Sequence, residues 1–142
     1  MSTELPAPAP AVNPETKEFW DATAEGRLLL KRCLDCGGVI WYPRAFCPEC
    51  SSMRTEWFPA SGRGRVYSYT VNHRTEGAYK DAGPLVLAYV ELEEGPRMMT
   101  NIVGAGARLA VGLPVEVVFH DTGEGSALPR FRPAATAAQD AR

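Results

Sequence analysis

The chain has no apolar run near the roughly 20 residues that a membrane-spanning helix needs, so none is expected. It also lacks a dominant charge. Fifteen Lys and Arg stand against 17 Asp and Glu, a net charge of −2, which gives no broad electrostatic reason to bind nucleic acid. The first twelve residues, MSTELPAPAPAV, have neither a basic stretch nor an apolar core, so they do not read as a secretion signal. A reducing, cytoplasmic setting is therefore expected, in which cysteines stay available to metal. Histidine is scarce, with only His73 and His120. No carboxylate forms a recognisable catalytic motif with either, and Ser61-Gly62-Arg63-Gly64 lacks the lysine and spacing of a phosphate-binding loop. No catalytic residue is assigned.

What the chain has is punctuation. Thirteen glycines and 12 prolines in 142 residues point to turns and short strands, while 45% hydrophobic content excludes wholesale disorder. Residues 1–12, with the alternation PAPAP, read as a disordered arm, and residues 134–142 as a disordered tail. A helix is expected from Asn13 as N-cap and Pro14 as first helical residue, ending at Gly26. Its stripe of Phe19, Trp20, Thr23 and Ala24 is short. It either packs on its own domain or holds Phe19 and Trp20 out for a partner.

Beyond Arg27 the pattern turns to strands. Five are expected after Gly62: Arg65–Asn72, Leu85–Leu92, Arg97–Val103, Val115–His120 and Leu128–Phe131. In the first of these, Val66, Ser68 and Thr70 are expected on one face and Tyr67, Tyr69 and Val71 on the other. Five short strands without a long helix suit a small closed barrel of the OB type. The organisation expected is thus mainly β, with an N-terminal helix and a ribbon over residues 13–60 and a five-stranded barrel over 61–133.

Cys33, Cys36, Cys47 and Cys50 carry the clearest chemistry. Their spacing, C-x2-C-x10-C-x2-C, lets two knuckles present four thiolates to one tetrahedral ion. Zinc fits best, since disulfides need an oxidising compartment and a thioredoxin-like pair needs a βαβ unit. Iron in a rubredoxin-like site is the chemical competitor. Four cysteine ligands leave no open coordination position, which makes the metal structural.

The order of these elements resembles one family. Phe19-Trp20, Gly26-Arg27-Leu28, the two cysteine knuckles, Tyr42-Pro43-Arg44 and Trp57 lead into Ser61-Gly62-x-Gly64-x-Val66-Tyr67-Ser68-Tyr69-Thr70. Ile102-Val103-Gly104, Gly112-Leu113-Pro114-Val115 and Pro129-Arg130-Phe131 follow. The run is similar to the zinc-ribbon-plus-OB-fold proteins first catalogued as domain of unknown function thirty-five. That resemblance implies an N-terminal helical hairpin, a rubredoxin-like ribbon and an OB barrel. It also implies a non-catalytic accessory subunit of a thiolase-fold acyl-CoA enzyme, such as a retro-aldolase or acyltransferase, with steroid side-chain degradation as one setting. Such a subunit is expected to steady the enzyme and shape acyl-CoA access.

Two surfaces follow as candidates. Phe19, Trp20, Trp41 and Tyr42 are candidate partner anchors, because aromatics not needed over a small metal site are free to bind. Arg63, Arg65, Arg74 and Lys80, interleaved with Tyr67, Tyr69 and Tyr79, are candidate contacts for coenzyme A phosphates at a partner's tunnel. The same residues could track single-stranded nucleic acid, which the negative overall charge argues against, or could simply be solvated loops. A free-standing acyl-CoA-binding protein is the remaining alternative.

Overall fold

The computed structural model describes residues 5–135. Within them one α-helix, α1 (Lys17–Ala24), precedes two antiparallel sheets. The first sheet joins β1 (Leu29–Cys33), β2 (Val39–Ile40) and β3 (Thr55–Pro59) in the order β2-β1-β3. The second contains β4 (Arg63–Asn72), β5 (Leu85–Leu92), β6 (Arg97–Asn101), β7 (Pro114–Asp121) and β8 (Ala127–Pro133), in the order β6-β5-β4-β7-β8. Its outer strands meet. Ile102 bridges Phe131 in parallel, the Val103 N–H donates to the Phe131 carbonyl at 2.8 Å, and the Thr100 hydroxyl donates to the Pro129 carbonyl at 2.9 Å. The sheet is thereby a nearly closed five-stranded barrel, as the strand pattern implied.

The helix departs from expectation at its start. Asn13 heads a separate turn, accepting the Thr16 N–H on both its carbonyl (3.0 Å) and its Oδ1 (3.1 Å). The first helical bond, Trp20 N–H to Thr16 carbonyl at 3.0 Å, comes one turn later, so the N-cap is Thr16. The asparagine satisfied a turn rather than the helix, a competition open to any short polar side chain. Gly26, at φ +75°, ends the helix as expected. The buried stripe is Phe19, Trp20, Ala22 and Thr23, with Ala24 exposed. Only this one α-helix stands among the described residues, besides single 3-10 turns at Gly77–Tyr79 and Gly106–Arg108, where the family likeness implied a helical hairpin.

The expected faces of β4 are also revised. Val66 pairs with Val90, but the next pair is Ser68 with Tyr89, so Tyr67 is the extra residue of a bulge. One inserted residue reverses every face that follows. Tyr69 and Val71 therefore fall on the same side of the sheet as Val66, opposite Ala88 and Val86, with Tyr69 still 40% exposed, while Ser68 and Thr70 fall on the other side.

One apolar cluster unites the parts: Phe19 from α1, Leu30 from β1, and Val66, Val90, Val115 and Phe131 from the barrel. The helix and the base of the ribbon thus sit on the barrel as one core. Gly64 permits the close pairing of β4 with β5, for a Cβ there would lie 2.5 Å from the Glu91 carbonyl oxygen. The arm, expected to be loose, is held from Leu5, because Arg130 donates to the Leu5 and Pro6 carbonyls. At the other end Ala134 is buried and bonded to Pro114, while residues 136–142 of the expected tail lie outside the described residues.

Candidate metal centre and neighbouring surfaces

The cysteine knuckles repeat one backbone device. Gly37 N–H donates to the Cys33 carbonyl at 2.9 Å, and Ser51 N–H donates to the Cys47 carbonyl at 2.8 Å. Cys33 N–H then reaches Gly38, and Cys47 N–H reaches Ser52, closing both loops. Gly37 (φ +76°) and Ser51 (φ +66°) hold the same left-handed position after each second cysteine. Serine tolerates it at a cost that glycine avoids.

These loops gather four sulfurs within 4.8 Å of one another. Cys33 Sγ lies 3.6 Å from Cys50 Sγ, and Cys36 Sγ lies 3.7 Å from Cys47 Sγ. A disulfide would need about 2.05 Å. A tetrahedron with Zn–S bonds of about 2.3 Å has edges of about 3.8 Å, so the donors match zinc in number, type and spacing. Cys33 and Cys47 are buried and Cys36 and Cys50 exposed, which places the site at the edge of the ribbon.

Electrostatics favour an ion there. The Cys36 N–H, 3.4 Å from Cys33 Sγ, is the main influence drawing the Cys33 thiol down to about 6. The Ser52 N–H pulls Cys50 the same way, yet the adjacent Cys33 sulfur and burial push it up to about 12. One sulfur ionises readily and its neighbour then resists. A divalent cation removes that conflict by neutralising the thiolates together, so the centre is suited to a structural zinc.

The aromatic candidates separate on inspection. Phe19 is fully buried and Trp20 nearly so, packed edge-on at 4.9 Å. Phe19 also meets Trp41 at 5.3 Å, and the Trp20 Nε1–H donates to the Tyr42 hydroxyl at 3.2 Å. The first two are thus core of this chain rather than free anchors. Trp41 is half-buried, and Tyr42 is 40% exposed. Phe46 is exposed too, while Trp57 is half-buried under Lys31.

Arg63, Arg65, Arg74 and Lys80 are all exposed. Arg63 and Arg65 open β4, and Arg74 lies beyond its end, about 30 Å away along an extended strand. The first pair borders a groove that also holds Glu91 and Glu93, so its charge is partly answered on the spot. His73 is exposed past the end of β4. His120, next to Asp121 in sequence, turns its Nδ1 to Arg130 at 2.8 Å.

Arg130 is the residue that sequence reasoning missed. It is 1% exposed. Its Nε donates to Asn101 Oδ1 at 3.1 Å and its Nη2 to the Tyr79 hydroxyl at 2.9 Å. With Tyr79, Asn101 and the aromatics of α1 and the ribbon, it lines a cavity of about 330 Å³. The only sequence signal was its place in Pro129-Arg130-Phe131, since an arginine between strand residues ordinarily points to solvent.

Residues 20–55 match the family model of the ChsH2 rubredoxin-like zinc ribbon domain, and residues 57–120 match that of the ChsH2 C-terminal OB-fold domain. A DUF35 domain-containing scaffold protein of Methanothermobacter thermautotrophicus is 40% identical over 66% of this chain and 71% of its own length. The chain belongs to the DUF35 family. This DUF35 chain is also 31% identical to the benzoylsuccinyl-CoA thiolase subunit BbsA of Thauera aromatica, over 74% of this chain and 76% of that one. The probable enoyl-CoA hydratase alpha subunit of Thermomonospora curvata is 37% identical over 89% of the chain, which spans only 40% of that protein's length. Among solved structures, the Ltp2-ChsH2(DUF35) aldolase superposes with a TM-score of 0.78 at 36% identity, over 89% of this chain and 100% of the matched one. Relatives that are scaffold proteins and enzyme subunits support an accessory-subunit role.

Proposed function

We propose that this DUF35 chain is a non-catalytic subunit that binds and steadies a thiolase-fold acyl-CoA enzyme and helps shape its acyl-CoA entry. The observation that carries the reading is the match to one whole chain of an aldolase at a TM-score of 0.78. The site's chemistry agrees with it. The four thiols are gathered for metal, His120 is engaged by Arg130, and the serine that donates to a carboxylate, Ser52 on Asp35, braces the second knuckle, its Oγ also accepting the Arg54 N–H.

The partner's reaction is a retro-aldol cleavage or an acyl transfer, with a steroid acyl-CoA as one substrate class. The setting is the reducing cytoplasm. Exposed Tyr42, with Trp41 behind it, is the part of the aromatic cluster offered to the partner; Phe19 and Trp20 act by holding those two in place. Arg63 and Arg65, which share one groove at the start of β4, are the pair that meets coenzyme A phosphates at a tunnel mouth, with Arg74 and Lys80 as the alternative contacts.

A second reading, a subunit of an acyl-CoA hydratase, draws on the similarity to the Thermomonospora curvata protein. Co-expression with a thiolase-fold enzyme and, separately, a hydratase of the same organism decides between them. Co-elution in a fixed ratio with the thiolase-fold enzyme supports the main reading. A complex with the hydratase alone selects the second. Salt-sensitive binding to random single-stranded nucleic acid with neither partner retained would reject both.

A further inference from the structure

A buried guanidinium ordinarily faces a carboxylate, because an uncompensated charge away from water is costly. Among the described residues, Arg130 has none. Its partners are the Asn101 amide oxygen, the Tyr79 hydroxyl, His120 Nδ1 and the carbonyls of Leu5 and Pro6. An arginine only donates, so His120 Nδ1 must offer a lone pair to it. Among the described residues, five neutral dipoles therefore surround a buried cation. Burial accordingly pulls its pKa below the usual guanidinium range.

Two of those partners are replaceable. The Leu5 carbonyl sits on Nη1 at a long 3.4 Å, and the Pro6 carbonyl sits on Nη2 at 2.7 Å. Consecutive carbonyl oxygens, one on Nη1 and one on Nη2, thus hold two donors of the kind that one carboxylate engages in a bidentate pair. The segment supplying them, residues 5–12, has no helix or strand. The cavity beside Arg130 has aromatic walls from Phe19, Trp20 and Trp41, with Met98. Its volume of about 330 Å³ is within the range of small-molecule sites.

The geometry points to Arg130 as the binding site for the carboxylate of a small apolar acid, its body in the aromatic cavity and its oxygens replacing the Leu5 and Pro6 carbonyls. The arm is then a neutral stand-in that leaves when the acid enters. The apolar walls favour such an acid over a free phosphate, which shares the fork chemistry but has no body to bury. The inference does not rest on the identity of any partner enzyme.

The test titrates the full zinc-loaded chain with octanoate, 1-octanol and inorganic phosphate, following tryptophan emission, since Trp20 and Trp41 line the cavity. Octanoate is expected to give a saturable change at concentrations where octanol and phosphate do not. Arg130→Lys keeps the charge but loses the fork, and should weaken octanoate about tenfold, the loss of one charge-assisted hydrogen bond. Removal of residues 1–8 should tighten octanoate binding, and octanoate should raise amide exchange in residues 5–12. Equal binding of octanol and octanoate, no binding of octanoate, or unchanged octanoate affinity after arm removal would each overturn the assignment.

Discussion

The Thr23 hydroxyl accepts a hydrogen bond from the Ala127 amide at 3.0 Å while donating to the Trp20 carbonyl at 2.6 Å. Residues 104 positions apart in the chain are thereby fixed to each other, and the helix is docked on the last barrel strand. Thr23 is 1% exposed, so water cannot replace it. Thr23→Val keeps the shape but leaves the Ala127 N–H unsatisfied, at a cost of about 1–3 kcal/mol. Chemical denaturation should register that loss, with faster exchange at the Ala127 amide.

A second prediction concerns Gly64, where an added methyl would meet the Glu91 carbonyl oxygen at 2.5 Å and Val90 Cγ1 at 2.7 Å. The clash is with backbone, so it cannot be relieved by one rotamer. Gly64→Ala should cost about 1–3 kcal/mol. Exchange protection should fall first along the β4–β5 pair. Unchanged stability would mean that this pair is looser than its register implies.

The ribbon should depend on metal more than the barrel does. Its knuckles bury only a small cluster of Cys33, Ile40 and Cys47, whereas Leu28 and Leu30 belong to the common core. Chelation of zinc, or Cys47→Ser, should therefore open residues 33–55 while the barrel keeps its exchange protection. Cooperative loss of both would show that metal holds the entire fold.

The pH dependence should include one identifiable carboxylate. Glu116 accepts from Arg132 Nη2 at 2.9 Å and Nε at 3.1 Å, and that bond is the main cause holding its pKa below the usual carboxylate range. A depressed folded pKa adds stability above the unfolded value and loses it as pH falls through the folded one. The pair is partly exposed, so the contribution is at most about 1 kcal/mol. Glu116→Gln should be less stable than the native chain at neutral pH. The two should converge in acid below the carboxylate range, as differential scanning calorimetry can check.

Local chemistry made much of this legible in advance. The cysteines announce their centre because metal spacing is a short-range constraint, and Leu85–Leu92 is bounded by Gly-Pro on both sides and appears with those ends. The misreadings have one physical source, competition settled by tertiary contacts. Asn13 suits a turn as well as a helix cap, and only the docking of Phe19 and Trp20 decides where the helix begins. The bulge at Tyr67 lets β4 follow the barrel's curvature, which no alternation pattern encodes. Arg130 gathers oxygens from Leu5, Pro6, Tyr79 and Asn101, a set that exists only once the barrel has closed. Sequence spacing could not assemble it.

In the proposed role this chain assists another enzyme's acyl-CoA chemistry and performs none itself. Release or transfer of coenzyme A should be measured for the thiolase-fold partner alone, for this chain alone, and for the two mixed in increasing ratio. The proposed role requires no turnover by this chain, weak turnover by the partner, and activity rising to a plateau at a fixed stoichiometry. Turnover by this chain alone, or a partner whose activity and stability ignore its presence, would contradict it.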